Sequence, residues 1–129
     1  MLSSCFTKNK ELAVRGENAV VDFLQNEGFS LLQKNFSVRT GEIDIIVERG
    51  KLLLFVEVKT RRRCSGSFQQ GLVNAPKKHR IISAAKSYLL RKQISSSSRD
   101  IRFDVALVKV AADEKELSID YFKNAFASA

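Results

Sequence analysis

The chain has very little of the two residue types that mark zinc sites and disulfide frameworks, with one histidine and two cysteines among 129 residues. Cys5 lies near the start and Cys64 lies in a basic segment. This spacing is neither a disulfide pattern nor a metal-ligand pattern. We therefore expect a reducing cytoplasm and no zinc centre.

Long apolar runs are also absent. The N-terminal MLSSCFTKNKE holds no apolar stretch of signal-peptide length, and no segment reaches the roughly 18 to 20 apolar residues of a membrane span. The chain shows no phosphate-loop glycines, no dinucleotide-binding fingerprint and no internal repeat. We expect a soluble, unexported, cytoplasmic protein with no membrane partner.

Positive charge is what the chain has in excess. Lysine and arginine total 22 against 14 acidic residues, which gives a net charge of +8. This balance favours a polyanionic partner such as nucleic acid, although a solvated basic surface has the same composition. The length and the 44% hydrophobic content predict one globular α/β domain, residues 1–129. Residues 1–7 and the serine-rich residues 95–99 are predicted to be flexible.

The central stretch Gly41–Arg63 reads GEIDIIVERGKLLLFVEVKTRRR and predicts a β-hairpin with its turn at residues 49–50. This register puts Asp44 opposite Phe55 and makes it a diagonal neighbour of Glu57, about 7 Å away between backbones. Side chains alternate between the faces of a strand, so charged residues gather on one face. Those residues are Glu42, Asp44, Glu57 and Lys59.

Carboxylates held this close repel each other, and a partly buried one is costly unless it is paired, protonated or bound to a cation. Lys59 supplies a single positive charge, which leaves a divalent metal as the simplest further partner. Oxygens of Asp44, Glu57 and a backbone carbonyl, completed by water, suit Mg²⁺ or Mn²⁺. The alternative is a solvated face with cross-strand ion pairs. The apolar run Leu52–Val56 disfavours it, because that run predicts a central strand covered on both faces.

A helical pattern runs from Lys8 to Asn26 and ends at a capping glycine, Gly28. Glu17 falls on the apolar face of this helix, in step with Ala13, Val20 and Leu24. Two interpretations of Glu17 are open. It pairs with a nearby arginine, such as Arg15 or Arg39, or it faces the hairpin carboxylates as an additional metal or water ligand.

Basic residues flank the charged face on both sides in sequence. The segment Thr60–Ser67 is predicted to be a flexible connection whose arginines could contact phosphate oxygens. A second helix, capped by Asn74 and running to about Gln93, shows further cations on its outer side, with His79 as an exposed surface residue. The predicted nucleic-acid contacts are Arg61, Arg62, Arg63, Lys77, Lys78 and Arg80. A solvated charge run is the alternative for this set.

Three further strands complete the prediction. Phe29–Asn35 is predicted to pair with the hairpin, and Ile101–Val110 is predicted to return through the second helix as a parallel strand. Asp104 within it is expected to brace Arg102 or a lysine. Leu117–Phe122 is predicted as a short last strand.

The order α, β, β, β, α, β, with a helical glutamate, a hairpin aspartate and a following E-x-K, resembles the PD-(D/E)XK nuclease superfamily. The chain resembles more specifically the bacterial family called YraN or UPF0102. The likeness covers nearly the whole chain, in the phrases RGENAVVDFLQNEGF, NFSVRTGEIDIIV, LLFVEVKTRRR, VNAPKKHRIISAAKSYL, IRFDVALV and YFKNAF. Ile43 departs from the superfamily motif, which has proline at that position.

The resemblance implies a restriction-endonuclease-like core, a central mixed sheet flanked by helices, akin to archaeal Holliday junction resolvases. It places four residues at the positions of the active-site set: Glu17, Asp44, Glu57 and Lys59. The implied activity is metal-dependent hydrolysis of phosphodiester bonds in DNA, in branched or in recombination and repair intermediates, and a homodimer is left open. The alternative is a non-catalytic nucleic-acid-binding module with a vestigial nuclease site.

Overall fold

The computed structural model describes residues 9–62, 73–95 and 97–127. The predicted flexible segment 1–7, together with Cys5, Arg63 and Cys64, lies outside these residues. The helices and strands of the described part are α1 (Asn9–Asn26), β1 (Ser30–Val38), β2 (Gly41–Arg49), β3 (Leu52–Arg62), α2 (Ala75–Arg91), β4 (Asp100–Val110) and β5 (Leu117–Phe126). The predicted order of elements is confirmed. The first strand extends to Val38 and the last strand extends to Phe126, so both are longer than predicted.

The five strands form one mixed sheet in the order β1-β2-β3-β4-β5. β3 and β4 are parallel, as predicted for two strands connected through a helix, and the other neighbours are antiparallel. β3 lies at the centre, and its residues Leu53–Val56 are fully buried. The apolar run therefore forms a central strand covered on both faces, as predicted.

Each helix covers one face of the sheet. Val20, Val21 and Leu24 of α1 pack in one core cluster with the even-numbered β3 residues Leu54 and Val56. On the other face, α2 contributes a second cluster with Phe55 of β3, through Ile81, Ala84, Ala85 and Tyr88. Ala13, predicted on the apolar face of α1, is exposed instead.

The helix ends follow the predicted local chemistry. Gly28 has a φ of 94°, and the Phe29 N–H donates to the Leu24 carbonyl, which closes α1. At the start of α2, the Asn74 side chain accepts a hydrogen bond from the Lys77 N–H at 2.9 Å. Asn74 is therefore the predicted N-cap. No helix in the described part of the chain is long and apolar enough to cross a membrane.

Asp104 anchors the last two strands to each other. Its carboxylate is fully buried and accepts hydrogen bonds from Arg102 Nε and Nη2, both at 2.9 Å. It also accepts from the Tyr121 hydroxyl at 2.7 Å and the Asn124 N–H at 2.8 Å. The predicted brace on Arg102 is confirmed, and the contacts to Tyr121 and Asn124 hold β5 on β4.

The register of the hairpin differs from the prediction. The turn residues are Gly50 and Lys51, and Ile46 pairs with Phe55. The predicted pairing of Asp44 with Phe55 is therefore wrong by two residues. Gly50 has a φ of 60°, which suits a two-residue hairpin turn that matches the strand twist. A shift of two residues preserves the side-chain alternation within the paired part of the hairpin, Ile45–Arg49 with Leu52–Val56.

The predicted flexible connection beginning at Thr60 is wrong in its first residues. Thr60 pairs with Val108 and Arg62 pairs with Val110, so β3 continues to Arg62. Polar residues remain in a strand here because the neighbouring strand supplies the backbone partners. Farther along, Ser98 N–H donates to the Ser95 carbonyl at 3.0 Å in a turn. The mobility of residues 95–99 stays a prediction.

Candidate functional site

β2 and β3 separate at the end of the hairpin that lies away from the turn. The last pair of their ladder is Ile45 with Val56. Beyond it, the Val58 N–H donates to Asp44 Oδ2 at 2.8 Å, so a side chain takes the place of a backbone partner. If the register is extended by one residue pair beyond Ile45 and Val56, Asp44 lies opposite Glu57. We call this opening between β2 and β3 the fork.

The local path of β2 turns the Asp44 side chain into the fork. Ile43 and Ile46 both pack in the core cluster on the α2 side, although strand residues three apart should face opposite ways. In β1, Asn35 lies between the residues paired with Ile43 and Ile45, and it has a φ of 54°. Simple alternation therefore does not describe the strands at Asp44.

Two glycines let the helices lie close to the sheet around the fork. A Cβ on Gly16 would collide with Thr60 Oγ1, and a Cβ on Gly41 would collide with the Arg80 carbonyl oxygen. α1 therefore lies directly on β3 at Thr60, which brings Glu17 to the fork. α2 likewise lies against the start of β2.

Glu57 is the buried acid of the fork. Its side chain is 6% exposed, and Oε2 lies 3.5 Å from Lys77 Nζ of α2. Oε1 is buried without a hydrogen-bond partner in the described part of the chain. Burial, reinforced by the negative charge of Asp44 and opposed by Lys77, raises the pKa of Glu57 to about 8.

Glu17 and Lys59 respond to the same surroundings. Partial burial raises the pKa of Glu17, and the charge of Asp44 adds to this effect. A hydrogen bond with the Asn35 side chain opposes the rise. Burial lowers the pKa of Lys59, while the negative charge of Glu57 opposes that change. The charge of Asp44 thus acts on the pKa of each of the other three predicted active-site residues, Glu17, Glu57 and Lys59.

Glu17 fits neither of the arginine pairings considered from the sequence. The Arg15 guanidinium donates to the Glu114 carbonyl at 2.8 Å, on the loop between β4 and β5. Among the described residues, no ion pair joins Glu17 to Arg15 or Arg39. Its neighbours are Asn35, Lys34 and Asp44. The arrangement favours the interpretation in which Glu17 faces the hairpin carboxylates.

The fork fits a hard divalent cation held by few protein ligands. Within residues 9–62, 73–95 and 97–127, no three or more His, Cys, Asp or Glu side chains form a ready metal-binding group. Asp44 and Glu57 do interact, and Glu57 Oε1 is a buried acceptor without a donor in the part of the chain that the structure describes. Mg²⁺ typically takes one or two carboxylates and completes its shell with water and substrate oxygens. Asp44 and Glu57 would hold it, with Glu17 close by.

The predicted arginine contacts divide between the two faces of β3. Arg62 is 9% exposed and forms an ion pair with Glu114 Oε2 at 3.2 Å. Arg62 is therefore unsuited to the predicted nucleic-acid contact, because strand alternation directs it to the α1 side. Arg61 is exposed and shares its face with Lys59 and Glu57. Arg63 lies outside the described residues.

The basic residues of α2 have distinct surroundings. Lys77 pairs with Glu57 inside the fork. The prediction that Lys77 lies on the outer side of the helix is therefore wrong. Lys78 Nζ lies 5.9 Å from the centre of the Phe126 ring, and Arg80 pairs with Glu42 at 3.1 Å. His79 is exposed, as expected. Arg80 and Lys78 remain on the surface beside the fork.

The fold and the site define an α/β protein with acidic side chains gathered where two strands of a mixed sheet separate. Residues 16–108 match the profile of the family described as Uncharacterised protein family UPF0102. UPF0102 proteins of Dictyoglomus turgidum and Clostridium perfringens are each 39% identical to the chain over 118 residues. Those alignments cover 92% of this chain and 98% and 95% of the two relatives. The chain belongs to the UPF0102 family, as the sequence resemblance indicated.

Proposed function

We propose that the protein is a metal-dependent nuclease that hydrolyses phosphodiester bonds in DNA. The observation that carries the proposal is the pair of carboxylates at the fork: Glu57 lies beside Asp44, and its buried Oε1 has no hydrogen-bond donor among the described residues. A buried acid is costly to ionise without a cation. The resemblance of the Glu17, Asp44, Glu57 and Lys59 set to the PD-(D/E)XK superfamily supports the same function.

Each residue of the fork has a role in this proposal. Asp44 and Glu57 would hold the ion, and Mg²⁺ would supply charge neutralisation at the phosphate and activation of a water. Lys59 orients the attacking water or stabilises the negative charge that develops on the phosphate in the transition state. Glu17 holds a water at the outer side of the site and fixes its orientation.

The surface beside the fork suits a nucleic-acid backbone. Arg61 is exposed on the Glu57 face of β3, and Lys78 and Arg80 lie on the first turns of α2. The net charge of +8 provides long-range attraction for a polyanion. Contacts of this kind bind phosphates and carry no base sequence information, so we propose binding that is largely independent of sequence.

A non-catalytic nucleic-acid-binding module is the competing function. It is favoured by the Lys77 ammonium, which lies 3.5 Å from Glu57 Oε2 and can pair with the ionised acid without a metal. It is also favoured by the lack of a group of three or more potential metal ligands in the described ranges. In this alternative the fork is a structural ion-pair site.

A cleavage panel separates the two functions. Branched, duplex and single-stranded DNA would be incubated with the protein in Mg²⁺, in Mn²⁺ and in EDTA. We expect cleavage only with metal, and its loss in Glu57→Gln. Glu27→Gln, an exposed substitution at the end of α1, is the matched control and should cleave as the wild type does. Metal-independent DNA binding by a folded wild type that cleaves none of these substrates would favour the competing function.

A further inference from the structure

The first turn of α2 places a cation against the buried acid of the fork. Lys77 Nζ lies 3.5 Å from Glu57 Oε2, and the Lys77 side chain is 30% exposed. Its backbone is fixed, because the Lys77 N–H donates to the Asn74 side chain. The lysine of the E-x-K pattern, Lys59, makes no ion pair within 4 Å in the described part of the chain. The counterion of Glu57 therefore comes from another element.

The position of this cation is specific to one residue of the helix. The next residue, Lys78, directs its ammonium to the Phe126 ring. Arg80, one turn along, is engaged by Glu42 at the surface. Lys77 alone among these three contacts the fork.

An ammonium and a divalent cation compete for the same carboxylate. Two positive charges at the same oxygen pair repel each other strongly in a partly buried site. We infer that Lys77 is an exchangeable counterion, which pairs with the ionised form of Glu57 in the metal-free protein and is displaced when a divalent metal binds. This inference rests on the proposed function, because it takes the fork as the metal site.

The displaced ammonium would then contact the substrate. The first turn of α2 has no acidic residue to hold it, and Glu42 is already paired with Arg80. At the rim of the fork the nearest available anion is a phosphate oxygen of a bound strand. Lys77 would thus couple metal binding to nucleic-acid binding: metal at the carboxylates frees the cation that contacts the phosphate.

Metal affinity tests the exchange directly. The dissociation constant for Mg²⁺ would be measured by titration calorimetry at pH 9, above the Glu57 pKa of about 8 so that the acid is ionised, for the wild type, Lys77→Met, Lys77→Arg and Lys78→Met. Loss of the competing charge should tighten Mg²⁺ binding roughly tenfold in Lys77→Met, within the range typical of coupled sites. Lys77→Arg and Lys78→Met should bind Mg²⁺ as the wild type does. Equal Mg²⁺ affinities of the wild type and Lys77→Met would overturn the exchange and leave the proposed function standing.

DNA affinity tests whether Lys77, once displaced by the metal, contacts a phosphate. Anisotropy of a labelled duplex would be measured in EDTA and in Ca²⁺, which replaces Mg²⁺ to slow cleavage. Lys77→Met should match the wild type in EDTA and show a salt slope smaller by about 1 with metal present. Lys78→Met should change both conditions alike. An equal loss in both conditions would show that Lys77 is an ordinary phosphate contact, and absence of Mg²⁺ binding in every variant would overturn both this inference and the proposed function.

Discussion

The Asp44 carboxylate accepts a hydrogen bond from the Val58 N–H at 2.8 Å, across the point where β2 and β3 separate. One side chain therefore has two tasks. It accepts the hydrogen bond that a backbone carbonyl of β2 would accept in a regular ladder, and it holds a negative charge beside Glu57. The first task stabilises the fold, while the second destabilises it in the absence of a cation because like charges repel.

Substitutions of Asp44 separate these two tasks. Asp44→Asn keeps an oxygen that can accept from Val58 and removes the charge, so the metal-free protein should be as stable as the wild type or slightly more stable. Asp44→Ala leaves the Val58 N–H without a partner and should be about 1 to 3 kcal/mol less stable than Asp44→Asn. Urea unfolding in EDTA measures both differences.

Asp44→Asn should reduce activity although it does not reduce the stability of the metal-free protein. Loss of a direct ligand should weaken Mg²⁺ binding and abolish cleavage. Asp22→Asn, on the exposed side of α1, is the control for a general change of charge. If Asp44 instead balanced a buried cation, Asp44→Asn would cost about 3 to 5 kcal/mol without metal, and such a loss would contradict the proposed site.

The raised pKa of Glu57 predicts how stability depends on pH. Glu57 holds its proton in the folded protein up to a pKa of about 8, whereas the unfolded chain releases it near the ordinary value of 4.5. The folded state binds more protons between these values, so the metal-free protein should lose stability as pH rises from about 4.5 to 8. The total loss should not exceed about 4 to 5 kcal/mol, from 1.36 kcal/mol per pKa unit.

Chemical denaturation in EDTA at several pH values measures this trend. Glu57→Gln should flatten most of the slope and leave a smaller part from Glu17, whose pKa is raised in the same direction. Excess Mg²⁺ should restore stability at pH 8, because a bound cation favours the ionised acid. Equal slopes for the wild type and Glu57→Gln would show that Glu57 is not protonated in the fork.

Local sequence signals predicted most of the fold. The capping residues Gly28 and Asn74 marked helix ends, and the apolar run Leu52–Val56 indicated the central strand. These features depend on residues that are near one another in the chain. The acidic residues Asp44 and Glu57 could also be grouped, because the two strands of a hairpin are adjacent in sequence.

Contacts between distant elements account for what the sequence did not predict. Arg62 belongs to a strand because β4 pairs with it, and it is buried because Glu114 reaches it from another loop. Lys77 enters the fork only through the packing of α2 on the sheet. A run of basic residues indicates charge, but the direction of each side chain depends on the neighbouring strand or helix.

Glu17→Gln should reduce activity without unfolding the protein. Burial and the charge of Asp44 raise the pKa of Glu17, so loss of its charge removes repulsion. It breaks no ion pair with an arginine of the described residues. We expect unchanged or slightly increased metal-free stability. Cleavage should fall about 10- to 100-fold, as for outer partners of metal ligands. Lower stability with unchanged activity per folded molecule would show that Glu17 is a structural residue.

Arg61 and Arg62, adjacent in sequence, should have opposite phenotypes. Arg61 is exposed, so Arg61→Ala should keep the wild-type stability and weaken DNA binding for every sequence, with a salt slope smaller by about 1. Arg62→Ala removes the ion pair with Glu114 and should destabilise the protein while the folded fraction binds DNA normally. Thermal melts and anisotropy on the same preparations measure both quantities, and a reversed pattern would contradict the assignment of faces on β3.

The contact between Gly16 and Thr60 gives a prediction about how α1 is seated. A Cβ at residue 16 collides with Thr60 Oγ1, so Gly16→Ala should cost about 1 to 3 kcal/mol as an overpacking change. Alanine is also the better helix former, by about 0.8 to 1.0 kcal/mol. Once Thr60→Ala removes the hydroxyl, most of the cost of Gly16→Ala should disappear, and the contact with the Cβ of residue 60 at 3.3 Å is what remains. A double-mutant cycle by urea unfolding measures this coupling.

Gly41→Ala is the matched comparison, because its new Cβ would collide with the Arg80 carbonyl, a backbone atom that no side-chain substitution removes. Gly41→Ala should therefore keep its full cost in the Thr60→Ala background, whereas Gly16→Ala should lose most of its cost. If Gly16→Ala also shifts Glu17 away from the fork, cleavage should fall with it and return in the Gly16→Ala, Thr60→Ala double variant. Additive stability effects in the cycle would show that α1 does not rest on Thr60, and Glu17 would then lack the close helix packing that places it at the fork.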